Sequence, residues 1–153
     1  MSATLHFPQL LEICVNDAAD ERPVPSIGLM LTVFAPHKNH YRLAKVTDAD
    51  GKARITALEM RESVKTDQKL FPMDYASSLE ECLPEIEVKI CTSAEIQKAV
   101  SAMEMFKGVT KIDDVVLRGF QMSQNAQYVP TSQRFRLDEL KTRETAKIVI
   151  QRR

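Results

Sequence analysis

Two strand-like runs flank an Asp-Gly turn in the stretch YRLAKVTDADGKARI, residues 41–55. In the first run, residues 40–46, successive side chains alternate between two faces, as they do along a β-strand. Glycine accepts a positive φ because it has no Cβ, so Asp50 followed by Gly51 is typical of a β-hairpin. The stretch therefore predicts a hairpin with Gly51 at positive φ and residues 53–55 as the returning strand.

Apolar periodicity predicts further strands on both sides of this stretch. Residues 27–34 carry apolar side chains on both faces, with Leu29, Leu31 and Val33 on one of them. Residues 85–91 alternate strictly, which predicts a half-buried strand with the isoleucines and valine inward. Shorter runs with strand character occupy residues 9–15, 115–117, 133–137 and 146–150.

Two capping-box pairs predict helices. Thr56 precedes Glu59 by three residues at the start of a run of helix-forming residues. Thr92 precedes Glu95 in the same way and predicts a helix over residues 93–107, ended by Gly108. The fold predicted from these elements is mainly β, with α+β as the alternative.

Composition narrows the class of protein. The chain has 153 residues, 44% of them hydrophobic and 27% charged, with 21 basic and 21 acidic residues. This length and composition predict one globular domain, residues 1–153, rather than a disordered chain. The balanced charge disfavours nucleic acid as the main partner. The absence of a basic, apolar leader and of a run of about 20 apolar residues predicts a cytoplasmic protein without membrane contact.

Residues 23–55 resemble the opening of the transthyretin-like and carboxypeptidase-regulatory-like β-sandwich domains. The resemblance rests on the prolines Pro23 and Pro25 before an apolar strand and on the later run Thr47-Asp48-Ala49-Asp50-Gly51-Lys52. It implies a prealbumin-like, Greek-key β-sandwich, here with two helical insertions. The catalytic branch of this superfamily, the hydroxyisourate hydrolases, has an early histidine, a central arginine and a histidine-rich strand before a Tyr-Arg-Gly-Ser terminus. This chain ends differently and has no histidine after His40, so the activity is not carried over.

Two clusters of residues have some of the ligands that a metal site needs. Asp48, Asp50 and Gly51, with Glu59 at position 12 counted from Asp48, resemble a fragment of a calcium loop. The glycine comes too early and Arg54 stands where an oxygen ligand belongs, so a turn is preferred. His37 and His40 lack a third ligand nearby in sequence, and His6 is remote, so water-exposed loop histidines are expected.

No residue is assigned a catalytic or cofactor-binding role, and no cofactor is predicted. Cys14, Cys82 and Cys91 have neither metal spacing nor a basic cluster around them, so they are expected to be free, buried thiols. The chain also lacks a nucleophile elbow and a phosphate-binding loop. An active site assembled from residues distant in sequence stays an open alternative.

Two surfaces were weighed as binding faces. The helical stripe Ile96, Val100 and Met103, with Met105 and Phe106 beside it, fits either a partner-binding face or, preferably, packing on a sheet. From Arg134 onward the chain carries seven basic and three acidic residues, which favours a solvated strand face over a nucleic-acid groove. The basic residues are Arg134, Arg136, Lys141, Arg143, Lys147, Arg152 and Arg153.

The function predicted from these observations is a non-catalytic cytoplasmic binding or protein-interaction module. The alternative is a diverged small hydrolase of the transthyretin-related type. Residues 146–150 are strongly β-forming with a single charge, so they predict either a central strand or an edge that pairs with a partner or a second copy. A homodimer is the preferred assembly, because symmetric pairs are the commonest among soluble oligomers.

Overall fold

The computed structural model describes residues 5, 7–37, 39–75, 78–106, 114–137 and 142–153. Within them the chain forms an α+β fold with seven strands in two sheets and three α-helices. In chain order the elements are β1 (Leu10–Asp17), β2 (Gly28–Val33), β3 (Tyr41–Val46), β4 (Lys52–Thr56), α1 (Ala57–Leu70), β5 (Glu85–Ile90), α2 (Ser93–Met105), α3 (Asp114–Gln121), β6 (Ser132–Arg136) and β7 (Arg143–Ile150).

The strands form a three-stranded and a four-stranded sheet. In the first the order is β4-β1-β7, and β1 pairs antiparallel with β4 but parallel with β7. In the second the order is β3-β2-β5-β6, and all neighbours are antiparallel. The pairing of β1 with β7 joins the two ends of the chain, so the three-stranded sheet depends on residues far apart in sequence.

The two sheets contribute their inner faces to one hydrophobic core. Alternate residues of β1, including Leu11 and Ile13, belong to the same buried cluster as Leu29 and Leu31 of β2 and Val88 of β5. All five are 0% exposed. Full burial of such side chains contributes about 1.5–3 kcal/mol each, so this shared core is the main source of stability.

Helices cover part of the outer face of the four-stranded sheet. Ile96 of α2 and Val116 and Phe120 of α3 form a second buried cluster, with Met30 and Val46 of the sheet packed against it. Two glycines allow the close approach of these layers. A Cβ on Gly28 would lie 2.6 Å from Cδ1 of Ile96, and one on Gly119 would lie 2.6 Å from Cγ1 of Val46.

Most predictions from local pattern are confirmed. Strands were predicted at the positions of β1 to β7, and Ile86, Val88 and Ile90 point into the core as expected. Both helix caps form: Thr56 accepts a hydrogen bond from the Glu59 N–H, and Thr92 and Glu95 form a reciprocal capping box. The predicted stop Gly108 lies outside the described residues.

The Asp-Gly turn forms, but the hairpin prediction is wrong. Gly51 has φ of 70°, and its N–H donates to the Asp48 carbonyl. However, β3 before the turn lies in the four-stranded sheet, whereas β4 after it pairs with β1 in the three-stranded sheet. The turn is therefore a corner between the sheets, because β4 pairs with β1 along its whole length and not with β3.

The strand predicted for residues 115–117 is also wrong, because these residues begin α3. Val116, Leu117 and Phe120 are buried at helical spacing, whereas Val115 is 71% exposed. A run of three apolar residues is too short to separate a strand from one turn of a helix. The fold consequently has three helices among the described residues rather than the two helical insertions that were predicted.

Candidate functional site

A small cleft lies where β1 ends and meets the end of the chain. Its volume is about 180 Å³. Three segments form it: the loop after β1, a stretch that follows α3, and the terminal residues after β7. The lining residues are Asp17, Asp20, Arg22, Pro23, Val24, Pro25, Gln124, Tyr128 and Arg152.

The loop after β1 folds back against its own strand. The Asp17 N–H donates to the Arg22 carbonyl at 2.8 Å, and the Val24 N–H donates to the Val15 carbonyl at 2.9 Å. Pro23 forms a bridge opposite Asn16. These bonds fix the loop as a rigid wall of the cleft, which the two prolines stiffen further by restricting φ.

The backbone of this loop is strained at two positions. Glu21 has φ of 59° and Ser26 has φ of 57°, and both are non-glycine residues in the left-handed region. Each such residue costs roughly 1 kcal/mol or more, and such strain is concentrated at functional sites. Here hydrogen bonds hold it in place, since the Ser26 N–H donates to Thr47 and the Ser26 carbonyl accepts from Gln124.

An ion pair between Asp17 and Arg152 forms one side of the cleft. Nε of Arg152 lies 3.3 Å from Oδ2 of Asp17, and Oδ1 of Asp17 accepts the Ala19 N–H at 2.8 Å. The Asp17 side chain is 7% exposed, whereas that of Arg152 is 66% exposed. The guanidinium also lies 5.6 Å from the centre of the Tyr128 ring. The buried carboxylate and the Tyr128 side chain thus orient an arginine that stays largely exposed.

The cleft holds a second arginine. Arg22 is exposed, and its backbone N–H donates to Oδ1 of Asp20 at 3.0 Å. Two guanidinium groups beside one small cleft suit a carboxylate, since guanidinium donors match carboxylate oxygens in geometry and charge. The volume is below the roughly 300–1,000 Å³ of pockets for small-molecule ligands. It fits one acidic side chain or a chain terminus.

A second cluster of titratable groups lies beneath α1. The rings of Tyr41 and Tyr75 stack with centroids 5.2 Å apart, and the amide of Gln68 donates to the Tyr41 hydroxyl. Burial raises the pKa of Asp67 to about 6 and the pKa of Tyr41 to about 12. Desolvation disfavours the charged form of both groups, which makes this cluster a determinant of pH-dependent stability rather than a binding site.

The residues weighed for calcium have other partners. Oδ1 of Asp48 accepts the N–H groups of Asp50 and Lys52, and its Oδ2 pairs with Arg54 at 3.0 Å. Glu59 pairs with Lys45 instead of turning toward the loop. Across the described residues, no three His, Cys, Asp or Glu side chains converge on a common point. The preferred interpretation, a turn, describes these residues.

The two described histidines differ, and the expectation for one of them is wrong. His37 is exposed, as predicted for a loop histidine. His40 is only partly exposed, because Nδ1 accepts the Ala35 N–H at 2.9 Å and its ring packs edge-on against Phe34. His40 therefore fixes the turn before β3. His6 lies outside the described residues.

The cysteines are free, and two of the three are buried. Cys82 and Cys91 are buried, and burial raises their pKa values to about 11 and about 12. Cys14 is partly exposed on the outer face of the three-stranded sheet, and burial together with Glu12 raises its pKa. A raised pKa disfavours the thiolate, so none of these thiols is activated as a nucleophile.

The structure places the α2 stripe and the basic residues after residue 133 in different surroundings. Ile96 lies against Gly28 of the four-stranded sheet, as the preferred interpretation of the α2 stripe expects. Val100 and Met103 pack against the cluster that Ile96 forms with Val116 and Phe120 of α3, so the stripe faces α3 as well as the sheet. The described basic residues after residue 133 lie on different parts of the fold. Those of β6 lie in the four-stranded sheet, those of β7 lie in the three-stranded sheet, and Lys141 lies outside the described residues.

Sequence reasoning missed two buried polar groups. Asn125 accepts the Gly28 N–H and donates to the carbonyls of Gly28 and Cys91, all at 2.8 Å. Asp17 is buried against Arg152, a partner 135 residues away. No local pattern marks Asn125. Asp17 does have a signal, since an aspartate at an inward position of a strand indicates a buried ion pair.

Comparison with protein-family models and with curated proteins gives no match to this sequence. The resemblance of residues 23–55 to transthyretin-like domains therefore stays a prediction. In the part of the chain that the structure describes, no helix has the length and apolar character needed to span a bilayer.

Proposed function

We propose that this chain is a non-catalytic, cytoplasmic protein-interaction module whose cleft receives an acidic side chain or chain terminus of a partner. The observation that carries the proposal is the pair of arginines beside the cleft, one of them oriented by the buried Asp17. A rigid, strained loop and a small volume suit recognition of one residue of a partner.

The cleft is tested with a minimal ligand that imitates a glutamate side chain. Titration of the ¹⁵N-labelled chain with N-acetylglutamate amide should shift the backbone amides of Ala19, Arg22 and Tyr128, with saturation in the millimolar range. N-acetylglutamine amide, which has the same shape without the charge, should cause no comparable shift. Equal responses to both compounds would contradict carboxylate recognition.

Two charge reversals sharpen this test. Arg22→Glu should abolish the response, because it places a carboxylate beside the ligand. Lys98→Glu, on the exposed side of α2, changes the net charge equally and should leave the response intact. A response that survives Arg22→Glu would remove the cleft from the proposal.

The alternative function, a diverged transthyretin-related hydrolase, rests on the resemblance over residues 23–55. Incubation of the purified chain with cyclic ureide substrates separates the two proposals. Turnover that is lost on changing His6 or His40 to alanine would favour the hydrolase over the interaction module.

The prealbumin-like sandwich belongs to the same resemblance. Two sheets with a shared core support it, whereas the parallel pair β1–β7 departs from all-antiparallel sandwiches.

The proposed homodimer has a structural basis in β7. This strand is an edge of the three-stranded sheet, and residues 146–150 lie within it. Deleting residues 146–150 would not test this assembly cleanly, because Ala146, Ile148 and Ile150 belong to the core. Thr145→Pro is a better test, since alternation points its N–H away from β1. A change from dimer to folded monomer in light scattering supports this assembly, and a monomeric parent contradicts it.

A further inference from the structure

The edge strand β6 carries two arginines, Arg134 and Arg136, each of which lies opposite a glutamate of β5. On the outer face of the four-stranded sheet, Arg42 of β3, Thr32 of β2, Glu87 of β5 and Arg134 of β6 form one cross-strand row. In the next row Glu85 of β5 stands opposite Arg136 of β6. In both rows the charge changes from acidic on β5 to basic on β6.

The backbone of this edge is free in the described part of the chain. The sheet ends at β6, which pairs with β5 alone. The Ile90 N–H donates to the Thr131 carbonyl, and the Leu137 N–H donates to the Pro84 carbonyl. Odd-numbered residues of β6 therefore face β5. By alternation, the N–H and C=O groups of Ser132, Arg134 and Arg136 point outward, where another strand can pair with them.

The other edge of the same sheet has neighbours. Helices α1 and α3 both pack against β3, and Asn39 just before β3 forms a bridge with Tyr75. Lys45 of β3 is also paired with Glu59 of α1. Among the described residues, β6 is the edge of the four-stranded sheet against which no helix packs and at which no further bridge forms.

One of the two arginines is already oriented. The guanidinium of Arg134 lies 4.3 Å from the centre of the Phe34 ring and 3.8 Å from Oε2 of Glu85. Its side chain is nevertheless 61% exposed. Arg136 is exposed and forms no ion pair within the described ranges. Less conformational freedom is then lost when an acidic group binds beside Arg134.

We infer that the free edge of β6 accepts an extended acidic segment of a partner protein as an additional strand. Main-chain hydrogen bonds supply affinity in such strand addition, and alternate side chains supply specificity. Because opposite charges in facing positions stabilise paired strands, the segment carries carboxylates two residues apart, opposite Arg134 and Arg136. Apolar residues between them pack beside Phe135, which is partly buried on the inner face. This surface consists of residues outside the cleft.

The test uses a fluorescein-labelled peptide of about seven residues that alternates glutamate and valine, a length typical of one strand. Fluorescence anisotropy with the full chain should show saturable binding that weakens with added salt. A peptide with lysine in place of glutamate should bind about tenfold more weakly or worse, because its lysines repel Arg134 and Arg136. The same acidic peptide N-methylated at every residue lacks backbone N–H donors and should also lose binding. Absence of saturable binding of the acidic peptide, or undiminished binding of the N-methylated one, would overturn the inference.

Variants of the chain locate the peptide. Arg136→Glu and the milder Arg136→Gln should weaken binding, the former by about tenfold or more. Ser132→Pro removes an outward N–H without touching the bonds to β5 and should weaken binding as well. Arg143→Glu, at the exposed edge strand β7, and Lys98→Glu, on the exposed side of α2, change charge equally and should leave binding within about twofold. Loss of binding in either of these two variants, with Arg136→Glu unaffected, would overturn the placement on β6.

Discussion

The two sheets bury their inner faces in the same core, but their outer faces have different surroundings. Part of the outer face of the four-stranded sheet lies under α2 and α3, where Met30, Ala44 and Val46 pack against the helices. The outer face of the three-stranded sheet carries ion pairs instead, with Glu12 between Lys52 and Arg54. A face beside helices needs close packing, whereas a free face needs only polarity. Substitutions at the covered side and at the junction of the sheets should therefore cost the most.

The largest loss of stability is expected at the turn around Gly51, where the chain passes from one sheet to the other. A side chain at Gly51 is strained by the φ of 70°, and its Cβ would lie 2.8 Å from the Val24 nitrogen and 2.9 Å from the Val15 carbonyl oxygen. Gly51→Val should lower the free energy of unfolding by about 2–5 kcal/mol, from strain and overpacking together. Urea denaturation measures this. Ala49→Val, at an exposed position of the same turn, is the control, and equal midpoints for the two variants would contradict the corner geometry.

The next largest effect is expected where Asn125 binds the four-stranded sheet. Asn125→Ala leaves the Gly28 N–H and the carbonyls of Gly28 and Cys91 without their buried partner. Unsatisfied buried groups cost about 1–3 kcal/mol, so a loss of about 2–3 kcal/mol in chemical denaturation follows. Gln127→Ala, an exposed residue of the short 3₁₀-helix Asn125–Gln127 to which Asn125 belongs, should change little. A loss below that of the control would show that water replaces the amide.

The contact between α3 and the four-stranded sheet should be sensitive to a single methyl group. Gly119→Ala places a Cβ 2.6 Å from Cγ1 of Val46 and should cost about 1–3 kcal/mol. Val46→Ala provides space, so the double variant should be more stable than the sum of the two single effects predicts. Thermal denaturation of all four proteins completes this cycle. Simple additivity would contradict a direct contact.

The partly buried Asp67 of α1 should make stability depend on pH. Its pKa is about 6 in the folded chain and about 3.9 when unfolded, so the folded state binds more protons between these values. Stability then falls as pH rises through this window. Asp67→Asn should melt higher than the parent at pH above about 6 and show no gain near pH 4. Asp74→Asn, an exposed control, should show no such pattern, and a gain independent of pH would contradict the burial mechanism.

The smallest effect is expected on the free face of the three-stranded sheet. Arg54 pairs with Glu12 at 3.1 Å and Asp48 at 3.0 Å, but its side chain is 48% exposed. Arg54→Ala should therefore cost less than about 1 kcal/mol, with the cost shrinking further in high salt. A loss as large as that of Asn125→Ala would show that the outer faces do not differ as described.

Local pattern was sufficient for most elements and insufficient for the candidate sites. Strict alternation in residues 85–91 identified β5, and the capping boxes identified the starts of α1 and α2, because these signals depend on neighbours within a few residues. The cleft combines the end of β1 with Tyr128 and Arg152, and the β6 edge is recognisable only from the sheet order. Both sites consist of residues that pairing brings together.

Sequence alone was enough to identify the buried side chains of β5, the first residues of α1 and α2, and the positive φ of Gly51. Each of these follows from side-chain periodicity or from the conformational freedom of a single residue. Three features depend on contacts between distant segments: β4 pairs with β1 instead of β3, β7 lies parallel to β1, and residues 115–117 are helical. Periodicity specifies the face that a strand buries but not the neighbour at its edge, since every strand offers the same backbone donors and acceptors.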